Sequence, residues 1–459
     1  MDKNNRDLIL IITGFSLVII ILNLLIKNIL YTDVGDYLTV AKYFSNNIVS
    51  RIRSTHSWVY GLVLAQFLKI WSSAFFAKII NSSFLVFTAL LLYNITKDKK
   101  ALFLWVLSPV VFYMIPQISP ILPSAFLLLL SYKFIKEYES KEKLKYLIYS
   151  ASPLGLSSIL WDSMIPISFF FILVFFFNRR LKESLFFIIF YFIAFSIRFI
   201  VDYSLFNYPF FSLFRFFGGS LLVYLRQGNY THISNPIINY VLYLLIISPF
   251  LFKFYKLNFK EYKKELIFLL LTVLMFISSS NQLRYVLILA PISILLISKV
   301  ITKKELIISS VISVLLIIFL LYPSFADNSE KLIQDDLNQI SKDFPSEVFF
   351  AGNEQESDAY LVYSLIYWGK DIKEVISWQD LQLVLNNKTN FQQYRYESKA
   401  KVGETRNVWL EFGVSRADNR TYEDVDYLIS SKNETTLKDF KLVRSYKVLN
   451  VFRKETTKK

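Results

Sequence analysis

No cysteine occurs anywhere in the 459 residues, and histidine occurs only twice. The first absence excludes disulfides, zinc–thiolate clusters and thiol nucleophiles; the second argues against a His-rich metal site. There is no internal repeat and no low-complexity tract. No small-residue cleavage pattern follows the apolar segment 8–30, which therefore reads as a retained first helix and not as a signal peptide. What fills the chain is apolar: 54% of residues are hydrophobic and 17% aromatic, the mean hydropathy is +0.41, and the apolar residues come in blocks near bilayer-spanning length. That composition does not suit one soluble domain and defines a polytopic α-helical membrane protein. The formal net charge of +15 does not point to nucleic acid, because much of the basic excess lies in short loops between apolar segments.

After the first helix, apolar segments at 75–96, 101–115, 119–135, 145–161, 164–177, 184–206, 236–252, 265–280, 285–298 and 305–322 are candidate crossings. Several are shorter than the roughly 20 residues of a straight span, which implies tilted or shielded helices. Loop charge orients them. With a cytoplasmic amino terminus, loops 97–100, 133–145, 178–183, 253–264 and 299–304 face inward and carry nineteen Lys and Arg, against seven on the outer face. The balance holds only if 58–72 does not cross, so Trp58–Trp71 is expected to be a juxtamembrane or re-entrant helix. The result is about eleven transmembrane helices in a plasma-membrane protein with an external carboxyl terminus.

The seven outer cations are Lys42, Arg51, Arg53, Arg198, Arg215, Arg226 and Arg284, six of them Arg, whereas the inner loops are almost entirely Lys. A guanidinium binds phosphate oxygens through two parallel hydrogen bonds and an ammonium acts as a point charge, so the asymmetry points to anion recognition on the outer face. The bland reading is that these Arg sit at headgroup level against membrane lipids. The loop 207–235 interleaves Phe210, Phe211, Phe214, Phe216 and Phe217 with Arg215 and continues to Tyr224, Arg226 and His232. That pattern fits an interfacial segment.

Polar chemistry is concentrated between Tyr31 and Trp58. This stretch holds Asp33, Asp36, Arg51, Arg53 and His56. On a helix Asp33, Tyr37 and Ala41 share one face, with Asp36 close by. Paired acids beside paired cations at a membrane face suit a site that handles a phosphate-bearing lipid and activates a hydroxyl. The competing reading is that the two Asp cap a juxtamembrane helix.

From about Ala326 the chain turns polar. Runs at 347–351, 374–377, 408–414, 425–430, 442–443 and 448–452 read as strands, and 358–368 and 378–385 as amphipathic helices. These make a small extracytoplasmic α/β domain over 326–459, beyond a transmembrane domain over 1–325. The triplets at Asn387, Asn419 and Asn433 are glycosylation acceptors only on an external, glycosylating face.

In Asp33, Tyr37 and Ala41, in His56-Ser57-Trp58, in Arg284-Tyr285 with Pro291 beyond, and in Gly155, where a Gly-led short helix is expected, the chain resembles the GT-C superfamily of membrane glycosyltransferases. The likeness is to the branch with protein O-mannosyltransferases and aminoarabinose transferases. It departs in having Val34 where a second acid often stands and in lacking Pro after His56. Tyr367-Trp368-Gly369-Lys370-Asp371 is not the signature of oligosaccharyltransferases. The resemblance implies transfer of one sugar from a polyprenyl-phosphate donor to a hydroxyl of a protein, lipid or glycan acceptor. Asp33 would be the general base and Asp36 would hold the acceptor or a Mg²⁺ or Mn²⁺ ion, which the sequence does not require. Arg51, Arg53 and Arg284 would stabilise the departing phosphate, with Tyr37, His56, Arg215, Arg226 and Tyr285 completing the substrate site. The whole reading expects the acids of the first loop and the cations near Arg284 to share one water-accessible hollow. Two alternatives stand beside the enzyme. A lipid or solute transporter or flippase needs polar or broken helices near the bilayer centre, for which Pro116, Pro120 and Asp162, all near helix ends, are poor candidates. A non-catalytic scaffold would act through its outer domain.

Overall fold

The computed structural model describes residues 3–26, 58–71, 73–176, 181–206, 236–279, 282–326 and 329–344, and in the tail 349–353, 372–377, 427–432 and 440–455. It also describes 209–214 and isolated positions including Val34, Tyr37, Leu38, Ala41, Phe44, Ser45 and Arg179. The chain divides into two compact units. One comprises Met1–Ile26, Ala74–Phe210 and Gln227–Ala326, and the other Lys27–Ser73, Phe211–Arg226 and Asp327–Lys459.

The first unit is helical. Its elements are α1 (Lys3–Leu25), α3 (Ala74–Thr96), α4 (Lys99–Val106), α5 (Pro109–Met114), α6 (Ile121–Lys141), α7 (Lys145–Leu160), α8 (Met164–Phe176), α9 (Leu181–Phe206), α10 (Pro236–Leu245), α11 (Phe259–Ser279), α12 (Ala290–Val300) and α13 (Lys303–Ala326); α2 (Trp58–Leu68) belongs to the second unit. Each candidate crossing is occupied by a helix or a pair of short ones. Among the described residues four helices, α1, α3, α9 and α13, have a stretch long and apolar enough to span a bilayer by length and composition. The protein is a multi-pass membrane protein.

The short crossings are composite, and proline marks two of the breaks. Segment 101–115 splits at Ser108, where Pro109 opens α5 and the Ser108 hydroxyl donates to the Ile247 carbonyl at 2.8 Å. Segment 285–298 begins as a 3₁₀ turn, Leu283–Ile288, before Pro291 sits in the first turn of α12. Gly155, expected to lead a short helix, lies instead inside the sixteen-residue α7. There α7 and α9 lie in close contact: an added Cβ would stand 2.6 Å from the Tyr191 carbonyl oxygen and 2.8 Å from the Ala194 Cβ. Hydroxyls flank this contact, with Ser158 2.8 Å from Ser168 and accepting from the Tyr191 hydroxyl at 3.0 Å. Small residues that let backbones approach are what joins helices where lipid removes the hydrophobic drive.

One end of the bundle is tied together by charge. Lys99 pairs with Asp7 at 2.8 Å, Lys100 donates to the Ile301 carbonyl at 3.0 Å, and Lys253 pairs with Glu305. Glu305 also closes a reciprocal cap with Thr302: the Thr302 N–H donates to its carboxylate at 2.9 Å and its own N–H donates to the Thr302 hydroxyl. Glu139 collects Arg179 at 2.7 Å, Lys264 at 2.9 Å and Lys136 at 3.0 Å, and Lys136 reaches on to buried Glu265 at 2.8 Å. Burial works against the Glu139 charge, but Lys264 and Lys136 outweigh it and hold the carboxyl below its usual range. The five basic loops and the beginning of α1 therefore form one layer, as the loop-charge reading requires.

In the second unit α2 forms where the juxtamembrane helix was expected. Val34, Tyr37, Leu38 and Ala41 are helical and buried, and the Tyr37 ring meets Tyr60 of α2 edge-on at 4.9 Å. The tail holds α14 (Ser329–Asp343) and a five-stranded sheet of β1 (Phe349–Asn353), β2 (Ile372–Ser377), β3 (Tyr427–Ser431), β4 (Phe440–Ser445) and β5 (Leu449–Lys454), in the order β2-β1-β3-β5-β4. β1 pairs in parallel with β2 and β3, whereas β5 is antiparallel to β3 and β4, so the sheet is mixed. The expected strand 408–414 and helices 358–368 and 378–385 lie outside the described residues; α14 was not expected. Asp336, Ile340 and Asp343 share one face of α14. Asp336 accepts from the backbone N–H groups of Lys447, Val448 and Leu449 at 3.2, 2.7 and 3.0 Å, and Asp343 takes the Tyr446 hydroxyl at 2.6 Å and Arg444 at 3.0 Å. Burial and the Asp343 carboxylate push the Tyr446 phenol well above its usual pKa.

Two substitutions test this packing. Gly155→Ala should destabilise the detergent-solubilised protein by about 1–3 kcal/mol, read as a lower thermal midpoint, because backbone stands where the methyl must go. Asp336→Ala should cost the tail about 2–3 kcal/mol through three orphaned N–H groups, read as faster amide exchange in the β4–β5 hairpin.

Candidate active site

The end of the helical unit opposite the basic layer gathers the remaining polar chemistry. Arg284 sits in the 3₁₀ turn Leu283–Ile288, which packs on α5, α6 and α10. It is buried, unlike an arginine that merely sits at headgroup level. Its Nε donates to the Gln282 side chain at 2.7 Å, and its guanidinium lies over the Tyr285 ring, 5.3 Å from the centroid. The Tyr113 phenol lies within electrostatic range of both Arg284 and Tyr243. Behind them Phe276 stacks on Tyr285 at 5.5 Å, on Tyr240 at 6.3 Å and on Trp161 at 6.4 Å, and Trp161 meets Tyr285 at 5.2 Å. Tyr113, Tyr243 and Tyr285 are half-buried and Gln282 is exposed.

Next to Trp161, Asp162 forms an ion pair with Arg198. Both side chains are fully enclosed, a pairing that the loop-charge reading did not contain. α9 runs on for two further turns beyond Arg198, and the turn between α7 and α8 is sunk against its side. Asp202, one turn further along α9, is buried as well. Lys78 was also missed, because it lies inside a predicted crossing. It is buried in the first turn of α3, and its ammonium donates to the Ile26 carbonyl at 2.9 Å, at the negative end of the α1 dipole.

Of the residues the sequence pointed to, Tyr37, Arg284 and Tyr285 are described, with Tyr37 packed on α2 in the second unit and Arg284 beside Tyr285 in the first. Asp33, Asp36, Arg51, Arg53, His56, Arg215 and Arg226 lie outside the described residues, as do Lys42, Tyr224 and His232. Phe211–Phe214 forms a single helical turn. Among the described residues no group of three or more His, Asp or Glu side chains is placed to hold a metal ion.

This architecture combines a multi-helix membrane unit and a mixed α/β tail. Two solved structures of ArnT from Cupriavidus metallidurans share it, one in the apo state with a TM-score of 0.65 and one bound to undecaprenyl phosphate with a TM-score of 0.61. Each is 10% identical to this chain, and the matches cover 98% and 97% of this chain, respectively, and 98% of each ArnT chain. No family model matches the sequence, and no curated protein matches it at a significant level.

The buried pair is the energetic weak point of this end. Removing one partner strands a charge in an apolar surrounding, so Arg198→Ala should cost about 3–5 kcal/mol of stability in a detergent melt. Adding Asp162→Ala to it should recover a large part of that loss, since the stranded carboxylate is then gone.

Proposed function

We propose that the protein is a membrane glycosyltransferase that moves one sugar from a polyprenyl-phosphate donor to the hydroxyl of a protein, lipid or glycan acceptor at the outer membrane face. The observation that carries this reading is the agreement of fold with ArnT over nearly the full length of both chains, one of those structures having been solved with undecaprenyl phosphate. Arg284, buried among phenols at the end away from the basic layer, supplies the chemistry such a lipid needs.

In this reading the chain crosses the membrane eleven times, with the amino terminus cytoplasmic, a transmembrane domain over 1–325 and an extracytoplasmic domain over 326–459. The acceptor oxygen attacks the anomeric carbon of the sugar while Asp33 takes its proton. The bond from that carbon to the phosphate oxygen breaks, and the polyprenyl phosphate leaves with the electron pair. Arg51, Arg53 and Arg284 stabilise the charge that develops on it. Asp36 orients the acceptor, and Tyr37, His56, Arg215, Arg226 and Tyr285 bind substrate. Asp33 and Asp36 offer the hard oxygen ligands that Mg²⁺ or Mn²⁺ prefers, and such an ion would offset phosphate charge.

The enclosed Asp162–Arg198 pair is the one observation that favours a transporter, since charged groups inside a helical bundle often mark a pathway. α7 and α9 are closely packed near it, as Gly155 shows, which weighs against a pathway there.

The deciding experiment supplies purified protein in lipid vesicles with a panel of labelled polyprenyl-phosphate sugars, with and without chelator. Wild type should form a labelled product, and Asp33→Asn, which keeps the capping ability of the side chain, should lower the rate by about 10²-fold or more. Full transfer by Asp33→Asn would remove that residue as the base. Movement of lipid between leaflets with no chemical change would replace the enzyme by the transporter.

A further inference from the structure

The connection from α10 to α11 carries charge that the basic layer leaves unbalanced. Over residues 251–264 five lysines stand with one acid, Glu261. Two of the five are neutralised inside the protein, Lys253 by Glu305 and Lys264 by Glu139 at 2.9 Å. Glu261 lies against the Tyr262 phenol. Lys256, Lys260 and Lys263 are exposed and form no ion pair among the described residues. Aromatic rings stand between them. Leu251–Lys256 is a 3₁₀ turn, in which residues three apart lie one above the other, so Phe252 and Tyr255 share a side; they are 59% and 72% exposed. Phe259, which opens α11, is exposed as well, and the Lys256 ammonium lies 5.8 Å from the centre of the Tyr255 ring. Buried Leu251 and Leu257 fix the segment to the bundle, and the Asn258 side chain caps α11 by accepting from the Lys260 N–H at 3.1 Å. The ties of Lys253 and Lys264 set its depth. Glu305 lies in the first turn of α13 and Glu139 in the last turn of α6, so the segment stands at the ends of the crossings, where headgroups begin. At that level an exposed ring inserts between headgroups and an ammonium beside it meets their phosphates.

We propose that Phe252, Tyr255, Lys256, Phe259, Lys260 and Lys263 form a docking surface for anionic phospholipid in the leaflet on the side of the basic layer. Charge complementarity selects the occupant. Three ammonium groups without a carboxylate partner attract any phosphate, but a zwitterionic headgroup brings its own cation, which offsets the attraction, and an anionic headgroup does not. The rings account for a lipid partner over a soluble one, since each gains by leaving water for the headgroup region. This surface lies at the end of the helical unit away from Arg284, so it stands or falls independently of sugar transfer.

The test uses the full-length protein in detergent, with phosphatidylglycerol and phosphatidylcholine as probes. Dissociation constants for both lipids and the lipid-free thermal midpoint are measured for wild type and for two variants. One combines Lys256→Gln, Lys260→Gln and Lys263→Gln. The other, Lys143→Gln with Lys145→Gln, removes two exposed lysines from the α6–α7 connection. Wild type should bind phosphatidylglycerol more tightly than phosphatidylcholine, with a preference that falls as salt rises. The triple variant should lose about tenfold or more in phosphatidylglycerol affinity, keep its phosphatidylcholine affinity and melt where wild type does. The double variant should bind both lipids as wild type does. Unchanged phosphatidylglycerol affinity in the triple variant overturns the proposal. An equal loss in the double variant overturns it too, because binding then belongs to the basic layer as a whole. Equal wild-type affinity for the two lipids removes the charge selection on which it rests, and a lower midpoint in the triple variant shows that the lysines serve the fold instead.

Discussion

A polar group inside a bundle of apolar helices has no water to fall back on, and the placement of charge in the helical unit follows from that constraint. Where side chains reach one another across helix ends, the charges neutralise locally. Glu139 is shared by Lys136, Lys264 and Arg179, and Glu305 serves both Lys253 and the first turn of α13. Hydroxyls inside the helices return to their own carbonyls, as Thr88 does to Phe84 and Thr272 to Phe268. At the other end the solutions are costlier, with an enclosed Asp162–Arg198 pair, a lysine on a helix-end carbonyl and an arginine held by an amide and an aromatic face. Replacing such groups by apolar ones is often neutral or stabilising, so their presence calls for an explanation beyond stability. Binding of an anionic lipid supplies one.

The same constraint explains the broken helices. A helix interrupted at depth exposes carbonyl and amide groups that must be met inside the protein. At Ser108 the gap is closed by the hydroxyl donating to the Ile247 carbonyl and by the Val110 N–H donating to the Ile246 carbonyl, so two interrupted crossings repair each other. The turn carrying Arg284 is a similar interruption. A 3₁₀ segment with Pro291 beyond it turns the backbone where the Arg284 side chain is buried.

Much of this was legible in the sequence. Lys-rich loops drew the basic layer correctly, because charge near helix ends is set by topology and not by packing. The apolar blocks located the described helices of the first unit, and α2 forms where loop counting expected a helix that does not cross. The Arg-Tyr pair at 284 and 285 also carried its own signal. What stayed hidden depended on where neighbours stop. The enclosure of Arg198 stayed hidden because sequence gives its distance from the end of α9 and not where the α7–α8 turn meets it. Gly155 looked like a helix start, whereas its role is to let Tyr191 approach. α14 was passed over because its sequence is mostly polar, and two carboxylates, Asp336 and Asp343, make its contacts with the hairpin. Tyr240 had no local signal in a chain with 29 tyrosines.

Agreement of fold at 10% identity has a physical basis of its own. In a bilayer Leu, Ile, Val and Phe exchange at small cost as long as volume and helix direction are kept, so most positions of a polytopic chain carry little that is specific. Residues without an apolar substitute are the informative remainder: Gly155 where backbones touch, Asp162 with Arg198, Arg284 over Tyr285, and the phenol of Tyr240, which has no hydrogen-bond partner among the described residues. Three of these four features lie at the end away from the basic layer, on turns that interrupt the helices or beside them. A fold that needed only to be stable would fill that end with hydrocarbon. This one keeps cations and phenols there, which fits a surface shaped for a charged headgroup on an apolar chain.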